Sequence, residues 1–142
     1  MSATRQARGH VIGAHTADTI LEAWGPSRDA CLEEAARGFV ASFAETDRAT
    51  PTCQVEVALS GSSTELLHGL LEEIIYRLDT DDVVPAQVSV GADGAGVVAV
   101  LELVPVARSE PVGAAPKAIA YSGLTCEATA TGQWRCRATI DV

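Results

Sequence analysis

Positive charge is scarce in this chain: 10 Lys and Arg stand against 19 Asp and Glu, a formal net charge of -9. Nucleic-acid affinity is delivered mostly by basic side chains that release counterions from phosphates, so strong direct binding to nucleic acid is not expected. Long apolar runs are missing as well. Nothing approaches the roughly 20 residues of a membrane span, and residues 1–10 contain no apolar core of a secretory leader, which points to the cytoplasm and away from a membrane. The four cysteines, Cys31, Cys53, Cys126 and Cys136, fit no C-x-x-C or Cys/His zinc spacing, and read as small buried apolar residues. The nucleophile elbow, the phosphate loop, the dinucleotide fingerprint and H-E-x-x-H are absent too, so no catalytic residue is assigned. There is no internal repeat.

What is present suffices for one domain. A chain of 142 residues buries roughly two-thirds of the surface its unfolded form exposes, without needing a metal or disulfide to fold. Residues 1–9 are polar, basic and without period, and read as a frayed, disordered tail; residues 10–142 form the domain. Strands are expected over residues 10–14 and 18–24. Pro26 and Ser27 then start a helix that runs to about Ala44, with Cys31, Ala35, Ala36, Phe39, Val40 and Phe43 inward and Glu33, Glu34 and Arg37 on the wet side. Residues 53–59 alternate as a half-buried strand.

A second helix opens on a Ser62–Glu65 capping box and carries one apolar stripe through Leu66, Leu67, Leu70, Leu71, Ile74, Ile75 and Leu78. His68 lies off the stripe and reads as a solvated surface residue. Asp79-Thr80-Asp81-Asp82 reads as a solvated loop ending that helix; it is not a calcium loop, because Val84 and Val90 occupy the positions that need Gly and Glu. Strands over residues 83–90 and 96–106 are joined through an Asp93-Gly94 turn, residues 107–116 form a loop, and strands resume over 117–121, 124–130 and the last residues. If the last hairpin turns through three residues, Cys126 falls opposite Cys136; a two-residue turn puts them on opposite faces. Even a facing pair is expected to stay as thiols in a reducing cytoplasm. The pattern indicates an α+β fold, two amphipathic helices packed on a largely antiparallel (mixed) sheet of about seven strands.

Two carboxylates stand at strand ends. Asp18 opens the second strand and shares a face with Ile20, Glu22 and Trp24; Asp141 closes the last strand on the face of Arg135, Arg137 and Thr139. Beside Asp141 lies the terminal carboxylate of Val142. Three hard oxygen donors suit a divalent cation such as calcium or magnesium, if the first and last strands lie side by side or end together. His15, three residues before Asp18, reads as part of a local turn and not as an acid/base partner.

The segments His15-Thr16-Ala17-Asp18, Glu22-Ala23-Trp24-Gly25, Leu78-Asp79-Thr80, Lys117-Ala118-Ile119-Ala120-Tyr121-Ser122-Gly123-Leu124 and Ile140-Asp141-Val142 occur in an order and at a spacing that resembles the archease family, from His10 to the end of the chain. The resemblance implies an archease-like fold and a non-catalytic protein cofactor for an RtcB-type RNA-splicing ligase, a manganese- and GTP-dependent enzyme that joins tRNA exon halves and repairs RNA. It implies promotion of ligase guanylation and of repeated turnover. It also implies a metal, calcium by family habit with manganese or magnesium as alternatives, held by Asp18, Asp141 and the terminal Val142, with His15, Lys117 and Asp79 as outer-layer or partner-contact residues. A chaperone-like or adaptor role on other clients is the alternative. The chain departs from the family pattern at Ala14, where an acidic residue is usual, at Thr19-Ile20, where Ile-Gly is common, and at Ala120-Tyr121-Ser122, where Thr-Tyr-His is usual.

Overall fold

Ten short strands and two helices make up the computed structural model, which describes residues 7–15 and 18–142, without the side chains of Ala14 and His15. The first sheet runs β1 (Gly9–His15), β2 (Asp18–Gly25), β10 (Trp134–Asp141) and β8 (Ala118–Ile119), with β9 (Thr125–Ala128) also paired to β10. A second sheet orders β4 (Cys53–Leu59), β6 (Gly96–Pro105) and β5 (Val83–Asp93). The remaining two strands, β3 (Ala44–Glu45) and β7 (Glu110–Pro111), pair with each other. Every pairing among the described residues is antiparallel. The ten strands exceed the seven or so expected because β3 and β7 are two-residue ladders inside segments that carry loop composition.

The helices α1 (Arg28–Ala41) and α2 (Ser63–Asp81) each pack on both larger sheets: α1 on β1, β2 and β10 and on β5, α2 on β8 and β9 and on β4, β5 and β6. Local chemistry sets where they begin. Ser27, in extended conformation, accepts from the Ala30 amide at 3.1 Å as the N-cap of α1. At α2, Ser62 Oγ accepts from the Glu65 amide at 3.1 Å while Glu65 accepts from the Ser62 amide at 2.9 Å, a closed capping box. Leu66, Leu67, Leu70, Leu71 and Ile74 are fully buried, and with Phe39, Leu32, Leu21, Leu101 and Ile140 they form the core.

Several expectations change here. Glu33 and Glu34 are not on a wet face. Glu34 is 6 % exposed and receives Arg8 at 2.5 Å, Arg37 at 2.7 Å and His10 at 3.3 Å. Glu33 accepts from the Val90 amide of β5 at 2.8 Å and from Arg8 at 3.0 Å. The helix is flanked by sheet on more than one side, so these two carboxylates are covered and paired, while Arg37 stays exposed as expected. Arg8 therefore belongs to the folded part and β1 starts at Gly9, inside the segment expected as tail. Helix α2 also continues through Asp81 instead of ending at Leu78: Arg77 bridges Glu73 at 2.7 Å and Asp81 at 3.6 Å, which offsets the unfavourable carboxylate at a negative helix end. Asp82 caps it in the left-handed region with φ 54°, its amide donating to the Arg77 carbonyl. His68 is half-buried, with its ring stacked on Tyr121 at 4.2 Å.

Candidate metal centre

The two ends of the domain meet because β10 inserts beside β2. Apolar alternation sets the inward face of both strands: Leu21 and Ala23 on β2, and Cys136, Ala138 and Ile140 on β10, are all buried. A period of two then sends Asp18, Ile20 and Glu22, and Asp141, Thr139 and Arg137, to the other face. Register completes the site. Asp141 is the direct cross-strand partner of Asp18, as Thr139 is of Ile20 and Arg137 of Glu22.

Direct partners on one face carry their Cβ atoms about 4.5–5.5 Å apart, and like charges placed so destabilise the sheet. Four residues along the same strands the problem is solved by opposite charge, Arg137 meeting Glu22 at 3.1 Å. At the Asp18–Asp141 pair no cationic side chain among the described residues comes within ion-pair distance. Asp18 is half-buried and Asp141 exposed. Val142, one residue beyond Asp141, rests its side chain on the core edge.

The other residues singled out from the sequence divide. Lys117 is brought in: its amide donates to the Asp141 carbonyl at 2.8 Å and its side chain is exposed. His15 is the register partner of Asp18 on β1, while its side chain, with Thr16 and Ala17, lies outside the described residues. Asp79 is not brought in; it is exposed near the end of α2, and no hydrogen bond or ion pair among the described residues joins it to the strand pair. Glu72, passed over in the sequence, accepts from the Ile119 amide at 3.1 Å, and His68 stacks on Tyr121. These two contacts hold the 117–124 segment on α2, so the strand next to Asp141 is pinned from both sides. Their sequence signal is the i,i+4 spacing of His68 and Glu72 on the polar edge of the helix.

Chemically the pair supplies two side-chain carboxylates, oxygen donors of the kind hard cations prefer. They fit such an ion, and the described residues place no thiolate or imidazole beside them that would favour a softer metal. They do not complete a coordination shell of six to eight oxygens; among the described residues no group of three or more His, Cys, Asp or Glu has metal-binding arrangement. A cation held there would keep positions open for water or for another molecule's oxygens. Two cavities lie elsewhere, one of about 450 Å³ beside His10, Arg37 and Gln87, and one of about 480 Å³ beside Glu45, Asp47 and Arg108. Neither cavity is lined by Asp18 or Asp141, and Asp141 is exposed at its strand end, where a partner surface can reach it.

The model of the Archease protein family matches residues 12–142. A probable protein archease of Mycobacterium tuberculosis is 34% identical over 135 residues, which cover 94% of this chain and 75% of that one. A protein archease of Methanopyrus kandleri is 37% identical over 68 residues, 47% of this chain and 49% of its own. Among solved structures, the solution structure of protein 1598 from Methanobacterium thermoautotrophicum superposes with a TM-score of 0.71 at 18% identity, covering 94% of this chain and 99% of that one. A crystal structure from Thermotoga maritima, described as an archease and possible chaperone, gives 0.64 at 17% identity over all of both chains. The two structures share the fold.

Proposed function

The chain belongs to the archease family, and from that membership we infer that it is a non-catalytic protein cofactor of an RtcB-type RNA-splicing ligase, accelerating guanylation and turnover of that enzyme. The observation that supports a role for the strand-end site is the direct pairing of Asp18 with Asp141, which no cationic side chain among the described residues compensates. Such a pair is maintained at a cost to the sheet unless a cation is held between the carboxylates. Asp18 and Asp141 would hold the metal, calcium first and manganese or magnesium next, with Val142 beside them. Bound there, the ion supplies fixed positive charge with open coordination positions. Lys117 adds a mobile positive charge at the same edge, and its backbone, held to Asp141, keeps the last strand in place. In this reading the site is presented to the ligase, where metal and nucleotide phosphates must be arranged.

The acidic balance supports the choice of partner. A surface of net charge -9 gains association rate against a basic, RNA-handling enzyme, and gains nothing against RNA itself. The test is a time course of ligase guanylation with the cognate enzyme, GTP and manganese, with and without this protein and its Asp18→Ala/Asp141→Ala variant. Acceleration by the parent and its loss in the folded variant is the expected result. Binding to the ligase with no acceleration would instead support the adaptor reading, and acceleration that survives the double substitution would remove the site from the mechanism.

A further inference from the structure

Three thiols meet where α1 lies against the first sheet. Cys31 on α1, Cys126 on β9 and Cys136 on β10 are buried and unbridged. Cys136 is central: Cys31 Sγ donates to Cys136 Sγ at 3.0 Å, and Cys136 Sγ to Cys126 Sγ at 3.3 Å. Register accounts for one contact, since Cys126 and Cys136 are direct cross-strand partners. That pairing arises from a three-residue turn: the Thr129 amide donates to the Gln133 carbonyl at 2.7 Å, leaving Ala130, Thr131 and Gly132, with Gly132 at φ 85°. Helix packing accounts for the other. Burial explains each cysteine separately as a small apolar residue; it does not require sulfur to touch sulfur twice.

A soft metal is disfavoured at this cluster. Among the described residues no group of three or more His, Cys, Asp or Glu is arranged to hold a metal ion, this trio included. Adjacent thiols with a common centre are instead arranged for disulfide exchange. We propose that Cys31, Cys126 and Cys136 form an oxidation site at which a hydroperoxide installs one disulfide, and that the disulfide passes from Cys126–Cys136 to Cys31–Cys136.

Cys126 is the entry point. It is the most exposed of the three at 5 %, and the hydrogen bond from Cys136, aided by the charge of Arg28, holds its thiol below the usual range against the opposing effect of burial. Its sulfur takes an oxygen atom from hydrogen peroxide, giving a sulfenic acid and one water. The Cys136 sulfur then attacks that sulfur, gives up its proton, and expels the hydroxyl as a second water, closing Cys126–Cys136. Two thiols thus lose two electrons and two protons to one peroxide. Next the Cys31 sulfur attacks Cys136, displacing Cys126, which leaves as a thiol with the proton from Cys31. The final bridge joins residues 105 apart in sequence and fastens α1 to the strand that ends in Asp141. A bridge across so long a loop restricts the unfolded chain far more than one that closes a hairpin.

The test uses the full chain carrying Cys53→Ser, since Cys53 is exposed and would cross-link molecules. After treatment with hydrogen peroxide in native buffer, quenching and alkylation in denaturant, peptide mapping is expected to find one Cys31–Cys136 disulfide per molecule, a loss of two hydrogens, and Cys126 alkylated. The unfolding midpoint should rise. In the added Cys31→Ser variant the disulfide should map to Cys126–Cys136, with a smaller rise. Recovery of all three thiols alkylated, under conditions that oxidise Cys53 in the parent chain, overturns the proposal. A bridge that stays at Cys126–Cys136 when Cys31 is present overturns the exchange step.

Discussion

Glu34 shows how far a single residue's role depends on what folds over it. Its helical position puts it on the polar stripe of α1, and the 3.6-residue period alone sends that stripe to water. In the fold it is a buried carboxylate among Arg8, His10 and Arg37. Burial works to raise its pKa, but the hydrogen bond from His10 and the charges of Arg8 and Arg37 outweigh it, so the carboxyl is held below the usual 4.5. A carboxyl depressed in the folded state contributes stability that is complete above its unfolded value and is lost as acid protonates the folded form. The chain should therefore lose stability as pH falls below about 4.5, and Glu34→Gln should lose less over that window. At neutral pH, Glu34→Ala should destabilise by about 1–3 kcal/mol, less than for a fully enclosed pair because both arginines reach solvent. Urea unfolding at a series of pH values checks both outcomes.

Parity, unlike burial, was legible in the sequence at the residue scale. The pleat alone sets Asp18 with Glu22 and Asp141 with Arg137, and the structure keeps those faces. That Asp18 meets Asp141 was not legible, because strand neighbours far apart in the chain are chosen by tertiary packing.

Among elements, the capped helix α2 was readable almost completely, since its start depends on residues within one turn of each other. Its end was not, because Arg77 carries the helix through a run of carboxylates. Short β3 and β7 carry no periodic signal and exist through their pairing. Close approach of elements sets a sharper test. Gly96, at the start of β6, lies so near the Leu59 carbonyl on β4 that a Cβ has no room, whereas a Cβ at Gly91 on β5 meets nothing within 4 Å. Gly96→Ala should cost about 1–3 kcal/mol by forcing the backbones apart. Gly91→Ala should be neutral or stabilising by up to about 1 kcal/mol. Equal effects of the two, measured by chemical denaturation, would show that contact between β4 and β6 does not constrain the sheet.

For the whole molecule, the dominant property is acidity. If docking on the ligase is steered by charge, the association rate should fall steeply as ionic strength rises through the range where the Debye length drops from about 30 to about 8 Å, while dissociation changes less. Stopped-flow association over that salt range checks this, and a flat salt response would remove electrostatics from partner choice. No helix among the described residues is long and apolar enough to cross a membrane.

Everything proposed for the strand-end site depends on whether a cation resolves the opposition of Asp18 and Asp141. The most direct measurement is the stability of the parent chain and Asp141→Asn, each in chelator and in excess calcium. Without metal the variant should be the more stable by about 0.2–1 kcal/mol, because a like-charge pair has been removed. With calcium at about a hundred times its dissociation constant the parent should gain about 2.7 kcal/mol and the variant little. A parent that gains nothing from calcium, magnesium or manganese, or a variant that gains as much, would contradict the assignment of these two aspartates as a cation site.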